Sequence, residues 1–498
     1  MIATADSSFV HAFAHNGRWY AYDVNTNDLL EVDAALGPVL AALTAEQPNR
    51  ELARLTAEIG REAVGGALAE VKEAQGDAGL FSCHRPRIVS RRLTDADRVA
   101  YESKLSHLIL SVTEDCNLAC RYCPQAAQRG RPRAPLPGAM SLDTALQALA
   151  YFAGRCRDAA SPAVSFYGGE PLLRFDLIAE VVAHARGRRD WPPLKFVIDT
   201  NGTLMDDEVA DLVAREQLYL QISLDGPEPV HDRWRVGLDG RGSHAAVVAG
   251  LQRVLRRDPS AAERISLRVT AAPPVDLDVL AEWFGNFAPF RRLGLGQPPH
   301  LRFSLADLSW RGDTSTQDEN SLQPQVSAAY ARWIDACACD RRAELDPVTR
   351  QLFDGGVIRF YHRSRERLPE ELVPGGCCQP GVRRLAVAPD GHFGPCERSS
   401  VEFRIGDVES GIDGGRVAGL AADFSRALGD RCRECWAVRL CSVCYAALTR
   451  QDETGELVMR EEFCARSRER AATSLRGYAD LLGRSDKAGA FLSETTTS

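Results

Sequence analysis

The chain has no surplus of positive charge, no long apolar run and no export leader at its start. With 60 Lys and Arg against 68 Asp and Glu, the formal charge is −8 and the pI about 5.8, which excludes a general nucleic-acid binder. No stretch approaches the roughly 20 apolar residues a spanning helix needs. The opening MIATADSSF is polar rather than basic, apolar and small, so neither export nor a membrane partner is expected. The 45% hydrophobic and 26% charged residues are ordinary for a globular protein, and 498 residues suggest two or three domains. Cysteine is the exception. Fifteen cysteines without an export signal point to a reducing compartment, a cytoplasmic location and metal ligation rather than disulfides.

Three of them, Cys116, Cys120 and Cys123, lie in TEDCNLACRYCPQ as C-x3-C-x2-C. Three thiolates this close can hold one [4Fe-4S] cluster, whose corners ordinarily take four cysteines. The fourth iron is left open. A zinc site would need a fourth N or S donor, and the nearest, His107, lies nine residues back on an expected strand. The competing reading is three incidental core cysteines, since Cys buries readily.

This spacing resembles the signature of the radical S-adenosylmethionine (SAM) enzymes, and the resemblance extends over most of the chain. It implies that SAM chelates the open iron and is cleaved to a 5′-deoxyadenosyl radical that removes hydrogen from substrate. The cofactor supplies the hard step and the protein supplies position and exclusion.

Between about 105 and 340 strand and helix patterns alternate. LILSV (108–112) runs into the cysteine loop, and Ser141–Arg155 reads as a helix with Ser141 as N-cap. AVSFYGGEP (163–171), KFVIDTNG (195–202), YLQISLDG (219–226), ISLRVTA (265–271) and LRFSL (301–305) read as further strands with their turns. Repeated βα units predict an α/β fold with a parallel sheet and the site at the C-terminal strand ends. Six units match the partial (β/α)6 barrel of the radical SAM fold.

Residues 1–80 read as a separate small domain: strands at Phe9–Phe13, Arg18–Val24 and Asp28–Val32, then three helical stripes, the second stopped by Gly60. This order ahead of such a core resembles the winged-helix-like recognition domain of ribosomal-peptide maturation pathways. The resemblance implies a precursor peptide whose leader adds a strand to the sheet edge. The alternative is a cap that merely covers the barrel. Residues 81–104, including CHRPRIVSRR, read as a linker whose basic run is solvated rather than a leader-docking site.

Three motifs fall at strand ends. Gly168, Gly169 and Glu170 let backbone approach a ligand and leave N–H and C=O groups free; they resemble the GGE motif that contacts the SAM amino group, against a plain β-turn. Asn201, in DTNG, and Ser223, in SLDG, resemble positions that contact SAM. Arg235 is placed to pair bidentately with the SAM carboxylate, while Asp225 and Asp232 serve equally well as helix caps.

Residues 341–470 hold Cys377, Cys378, Cys396, Cys432, Cys435, Cys441, Cys444 and Cys464. CRECWAVRLCSVC reads C-x2-C-x5-C-x2-C, too tight for a zinc ribbon, whose pairs stand about 15–20 residues apart. The block resembles a SPASM domain with two auxiliary [4Fe-4S] clusters, making three in all. By that resemblance Cys432, Cys435, Cys441 and Cys464 close one cluster. Cys444 crosses to join Cys396 and Cys377 or Cys378 on the other, where an expected Cys between 378 and 396 is missing. The fourth ligand there is the tandem cysteine or an open iron. Cys83, Cys156, Cys337 and Cys339 belong to no motif and read as small buried hydrophobes. Residues 471–498 read as a C-terminal helix and disordered tail.

Together these resemblances imply a radical SAM peptide maturase, fed electrons by a flavodoxin- or ferredoxin-type reductant. It would close a thioether or a C–C or C–O crosslink. A sulfatase-type formylglycine maturase and a non-catalytic iron–sulfur carrier are the alternatives. No residue is singled out as base; Asp307, Tyr330 and Arg302 lie near expected strand ends.

Overall fold

The computed structural model describes residues 8–77, 79–123, 138–294, 300–306, 316–376, 378–399, 403–450, 456–483 and 492. Cys377 and Asp307 lie outside them.

At the N-terminus β1 (Val10–His15), β2 (Arg18–Asp23) and β3 (Asp28–Val32) form an antiparallel sheet in that order. The first hairpin turns on Asn16 and Gly17, both at positive φ, the backbone that tight hairpins require and that Asn-Gly accommodates. Helices α1 (Leu36–Leu43), α2 (Pro48–Ile59) and α3 (Arg61–Asp77) follow, with Gly60 at φ +92° between the last two. Leu36, Leu40, Leu52, Leu55, Val64 and Val71 bury against Val10 and Ala21 on one face of the sheet. The opposite face is also covered. Phe9, Tyr22 and Val24 share a second core with Trp333, Phe353, Phe360 and Leu475, so the sheet is a middle layer between its own helices and the C-terminal half.

The stretch read as a linker carries β4 (Arg87–Ile88) and α4 (Asp95–Ser103), the latter started by a capping box between Thr94 and Asp97. Beyond it β5 (His107–Thr113), β6 (Ala163–Gly168), β7 (Lys195–Thr200), β8 (Tyr219–Ser223), β9 (Ile265–Ala271) and β10 (His300–Leu305) pair in chain order, all parallel. Connecting them are α5 (Leu142–Ala153), α6 (Phe175–Gly187), α7 (Asp207–Glu216), α8 (Glu228–Trp234), α9 (His244–Arg257) and α10 (Leu277–Gly285). Ser141 caps α5 by accepting from Thr144 N at 3.0 Å. One face of each strand is apolar: Leu108, Leu110, Phe166, Ile198, Ile222 and Leu267 bury with Leu149, Phe152, Val181, Val213 and Leu251 of the helices. Period-two alternation sends His107, Ser165, Tyr167, Asp199, Gln221 and Arg268 to the other face.

Four longer helices follow: α11 (Thr316–Ala338), α12 (Pro347–Tyr361), α13 (Gly414–Arg433) and α14 (Glu461–Leu482). β11 (Glu371–Leu372) pairs with β4 in parallel. β12 (Arg384–Val387) pairs in parallel with β5, and β13 (His392–Gly394), β14 (Gly406–Asp407) and β15 (Gly411–Ile412) continue antiparallel beyond it. The cysteine-dense block therefore extends the same sheet to ten strands, from β10 at one edge to β15 at the other. The sheet stays open, a partial barrel. The short pair β16 (Leu448–Arg450) and β17 (Leu457–Met459) leads into α14, which begins at Glu461, ten residues before the expected C-terminal helix. Among the described residues no helix is long and apolar enough to cross a membrane.

Candidate active site at the C-terminal strand ends

The chain leaves β5 at Thr113 and passes directly over the end of β6. Gly169 N donates to Thr113 O and Glu170 N to Asp115 O, each at 2.8 Å. Gly168 takes φ +137°, and a Cβ there would lie 2.0 Å from Thr113 O; one on Gly169 would lie 2.1 Å from Asp115 O. Only glycine fits beneath this crossing. The N–H groups of Gly169 and Glu170, expected to be free for a ligand, are thus engaged: the close approach is to the backbone of the cysteine loop.

The carboxylate of Glu170 is fully buried. It accepts from Leu172 N at 3.0 Å, Thr200 Oγ1 at 2.7 Å and Asn201 N at 2.7 Å. Burial pushes its pKa up to about 7, with those three donors opposing the rise. Its side chain therefore ties the end of β6 to the end of β7. That linkage carries Asn201, whose Nδ2 reaches Asn117 Oδ1 at 2.8 Å and lies 3.9 Å from Cys116 Sγ. Asn117 Nδ2 in turn donates to Thr203 Oγ1 at 2.8 Å. Asn117 and Thr203, which the sequence reading missed, hold the first cysteine in register with β7.

The other side of the loop is pinned after α8: Ala119 N donates to Val236 O and Arg121 N to Trp234 O, both at 2.8 Å. Arg235 is almost fully buried, and its guanidinium forks onto Asp225, Nε to Oδ2 at 2.9 Å and Nη2 to Oδ1 at 3.2 Å. Asp225 also accepts from Tyr122 OH at 2.6 Å and Thr270 N at 2.9 Å. This internal pair braces the cysteine loop. His231 Nδ1 accepts from Asp225 N at 3.2 Å, and its Nε2 is 3.0 Å from Ser243 Oγ. Ser243 Oγ donates to Arg235 O, so His231 is a neutral Nε2–H tautomer. Burial lowers its pKa to about 4, helped by Arg235. Asp232 accepts from Ser243 N and His244 N at 2.8 Å each, the helix-capping alternative. Ser223 ends β8, half-buried, opposite Arg268.

All three loop thiols are partly exposed. Burial pushes Cys120 up to about 11; Arg235 counters this, while Cys123 and Cys116 add to it. Cys116 and Cys123 lie within electrostatic reach of Cys120, so the three-thiol donor set fits a [4Fe-4S] cluster. His107 opens β5 at its far end, about 20 Å of strand from the loop, and is hydrogen-bonded to Ser165 at 2.8 Å. It is no fourth ligand.

At the C-terminal end of α13, Cys432 is pushed to about 12 by burial and by Cys435, Cys441 and Cys464, and Cys464 is raised by burial and Cys441. These four lie within mutual electrostatic reach, the set expected for one auxiliary cluster. Cys441 Sγ accepts from Val443 N and Ser467 Oγ, each at 3.4 Å. Cys396 is raised chiefly by burial, with Cys378 contributing; Cys444 closes the turn before β16. Among the described residues no three His, Cys, Asp or Glu side chains converge as tightly as one metal ion demands. A cubane spreads its thiolates over separate irons, whereas zinc gathers four on one ion. Cys156 and Cys337 are buried as expected, but Cys83 and Cys339 are exposed. Tyr330 is not at a strand end: it sits on α11 and donates to Asp480 Oδ2 at 2.5 Å.

Residues 110–258, which contain the loop, the glycine crossing and the Asp225–Arg235 pair, match the family model for the Radical SAM superfamily. Those residues therefore carry a radical SAM domain. Among curated relatives, an uncharacterized protein of Methanocaldococcus jannaschii is 30% identical over 147 residues, covering 30% of this chain and 48% of its own length. GTP 3′,8-cyclase 3 of Mycobacterium bovis is 34% identical over 152 residues, covering 30% and 38%. The AdoMet-dependent heme synthase of Nitratidesulfovibrio vulgaris is 31% identical over 156 residues, covering 31% and 36%. The chain thus spans less than half the length of each. Among solved structures, native anSMEcpe with bound AdoMet and Cp18Cys peptide superposes with a TM-score of 0.53 at 16% identity, covering 78% of this chain and 99% of that one. A histidine-tagged form of anSMEcpe with bound AdoMet also gives 0.53, at 17% identity, with 78% and 98% coverage. These likenesses show a shared fold that extends well beyond the matched residues.

Proposed function

We propose that the chain is a radical SAM enzyme that modifies a ribosomally made precursor peptide. Cys116, Cys120 and Cys123 would hold the cluster, and the loop's lodging against Gly168–Glu170 would face its open side toward the strand ends. Bound there, cluster and SAM supply the 5′-deoxyadenosyl radical. This chain's residues do the rest. Glu170 and Asn201 fix the loop to β7, Asp225 and Arg235 fix it to β8 and β9, and the sheet face that carries Tyr167, Asp199, Gln221 and Arg268 offers polar side chains to a substrate.

The observation that carries the reading is that the cysteine trio follows β5 while Cys378 and Cys396 flank β12 and β13, which extend the same sheet from β5. A substrate between them has a hydrogen-abstraction site on one side. On the other, proposed auxiliary clusters at Cys377, Cys378, Cys396 and Cys444, and at Cys432, Cys435, Cys441 and Cys464, would take the electron released as a bond closes. The leader would add to the β3 edge, which pairs only with β2 among the described residues, and a small flavodoxin or ferredoxin would reduce the SAM cluster. We further propose the domain limits 1–80, 105–340 and 341–470, with SAM contacts from Asn201, Ser223 and the Gly168–Glu170 turn.

The test is anaerobic incubation of reconstituted enzyme with SAM, reductant and the short peptide encoded beside its gene. A peptide lighter by two hydrogens, with 5′-deoxyadenosine formed, is expected. SAM cleavage with the peptide unchanged would refute the crosslinking assignment, and formylglycine in a neighbouring sulfatase would replace it.

A further inference from the structure

We infer that Arg268 and Arg302 form a carboxylate-binding subsite that takes an acidic side chain of the peptide; the inference rests on the peptide-maturase reading above. The two arginines are register partners on the parallel strands β9 and β10. Leu267 and Val269 bury in the helix-covered core, so Arg268 projects to the opposite face, and Arg302, beside it in register, shares that face. Parallel neighbours stand about 4.8 Å apart, and like charges placed directly opposite destabilise a sheet. Such a pair is retained at a cost unless an anion sits across it.

Asp199 lies within electrostatic reach of both arginines and of Arg384 and Glu397. Arg268 spends Nε on Gln221 Oε1 at 2.5 Å and turns Nη2 toward Asp199 Oδ1 at 3.3 Å. Arg384 leans on Glu397 at 3.5 Å. Arg302 is exposed and has no hydrogen bond or ion pair among the described residues. A planar guanidinium with free donors beside a second one is the arrangement that grips a carboxylate through parallel hydrogen bonds. The position suits a substrate. Arg268 is level with Ser223 at the end of β8, and Tyr167, next to the glycine crossing, lies within reach of Asp199, Arg268 and Cys123 alike. A carboxylate held here would seat its neighbouring residue beside the cysteine loop.

The experiment compares crosslinking kinetics of wild type, Arg302→Gln and Arg302→Lys on the peptide encoded beside the gene. The peptide is also prepared with each Asp or Glu neutralised in turn and with an amidated C-terminus. Loss of a charged hydrogen bond should raise KM by about tenfold or more in Arg302→Gln, and Lys should recover most of it. One peptide neutralisation should raise KM on wild type yet add little on Arg302→Gln; if amidation does so instead, the carboxylate is the terminal one. An unchanged KM in a folded Arg302→Gln, or strict additivity with every peptide change, would overturn the subsite. The peptide series on wild type decides the matter alone should the variant not fold, since insensitivity to every neutralisation and to amidation would also overturn it. Wild type that makes no 5′-deoxyadenosine would overturn the radical SAM activity itself, and the subsite with it.

Discussion

Glu170 shows how one side chain can be structural and indispensable at a reaction site. Leu172 N and Thr200 Oγ1 converge on one of its oxygens and Asn201 N on the other. In Glu170→Gln an amide nitrogen must face one of these donors, leaving a buried N–H or O–H unmet at a cost of about 1–3 kcal/mol. The variant should unfold at lower denaturant than wild type, with unchanged m-value, and lose SAM cleavage as Asn201 drifts from Cys116. Gly168→Ala should be harsher, because its methyl would meet Thr113 O at 2.0 Å on a backbone at φ +137°; reconstituted protein should take up less iron at the first cluster. His231 makes a pH prediction. Its folded pKa of about 4 lies below the ordinary 6.5. As pH falls below 6.5 the unfolded chain binds a proton that the folded one refuses until near 4, so stability is lost over that window, about 2 kcal/mol of it by pH 5. His231→Gln, whose amide can accept from Asp225 N and donate to Ser243 Oγ, should flatten that acid limb in denaturant titrations at pH 5 and 7.

At the scale of elements, the barrel was legible because its signals are local. Alternation in LILSV and ISLRVTA set β5 and β9 within a residue, and Ser141 marked the start of α5. The glycine pair was legible as a close approach, but what approaches it was not: the partner is Thr113–Asp115, more than fifty residues earlier. The partner of Arg235 was hidden for the same reason, since nothing in SLDGPEPVHDRWR says that the chain folds back to place Asp225 under its guanidinium. Arg235→Lys keeps the charge but loses the fork onto both Asp225 oxygens. It should loosen the cysteine loop and lower SAM-cluster occupancy, seen as a weaker EPR signal per protein after reduction. Strands of two or three residues, such as β14 and β15, carry too little pattern to be read from sequence, which is why the sheet's extension past β5 went unseen.

At the scale of the molecule, the N-terminal block is less separable than its sequence suggests. Its turn residues and stripes predicted the three strands and three helices, yet the burial of Phe9, Tyr22 and Val24 depends on Trp333, Phe353 and Phe360 far along the chain. His11 stacks on Trp436 at 3.8 Å between ring centroids, only one residue from Cys435, and His15 and Asn16 reach Asp480 at 2.9 and 2.7 Å. The sheet proposed to take a leader thus rests against the loop proposed to take an auxiliary cluster. Deleting residues 1–82 should expose that shared apolar face and yield an aggregation-prone remainder in size-exclusion chromatography, whereas a monodisperse, heat-stable remainder would show the block to be a detachable module. The most direct measurement is the yield of 5′-deoxyadenosine from SAM under anaerobic reduction by the reconstituted wild type and by the Cys116→Ala, Cys120→Ala, Cys123→Ala triple variant. The wild type should form it and the triple variant should form none; equal yields, or none from an iron-loaded wild type, would contradict the assignment of this loop as the seat of the chemistry.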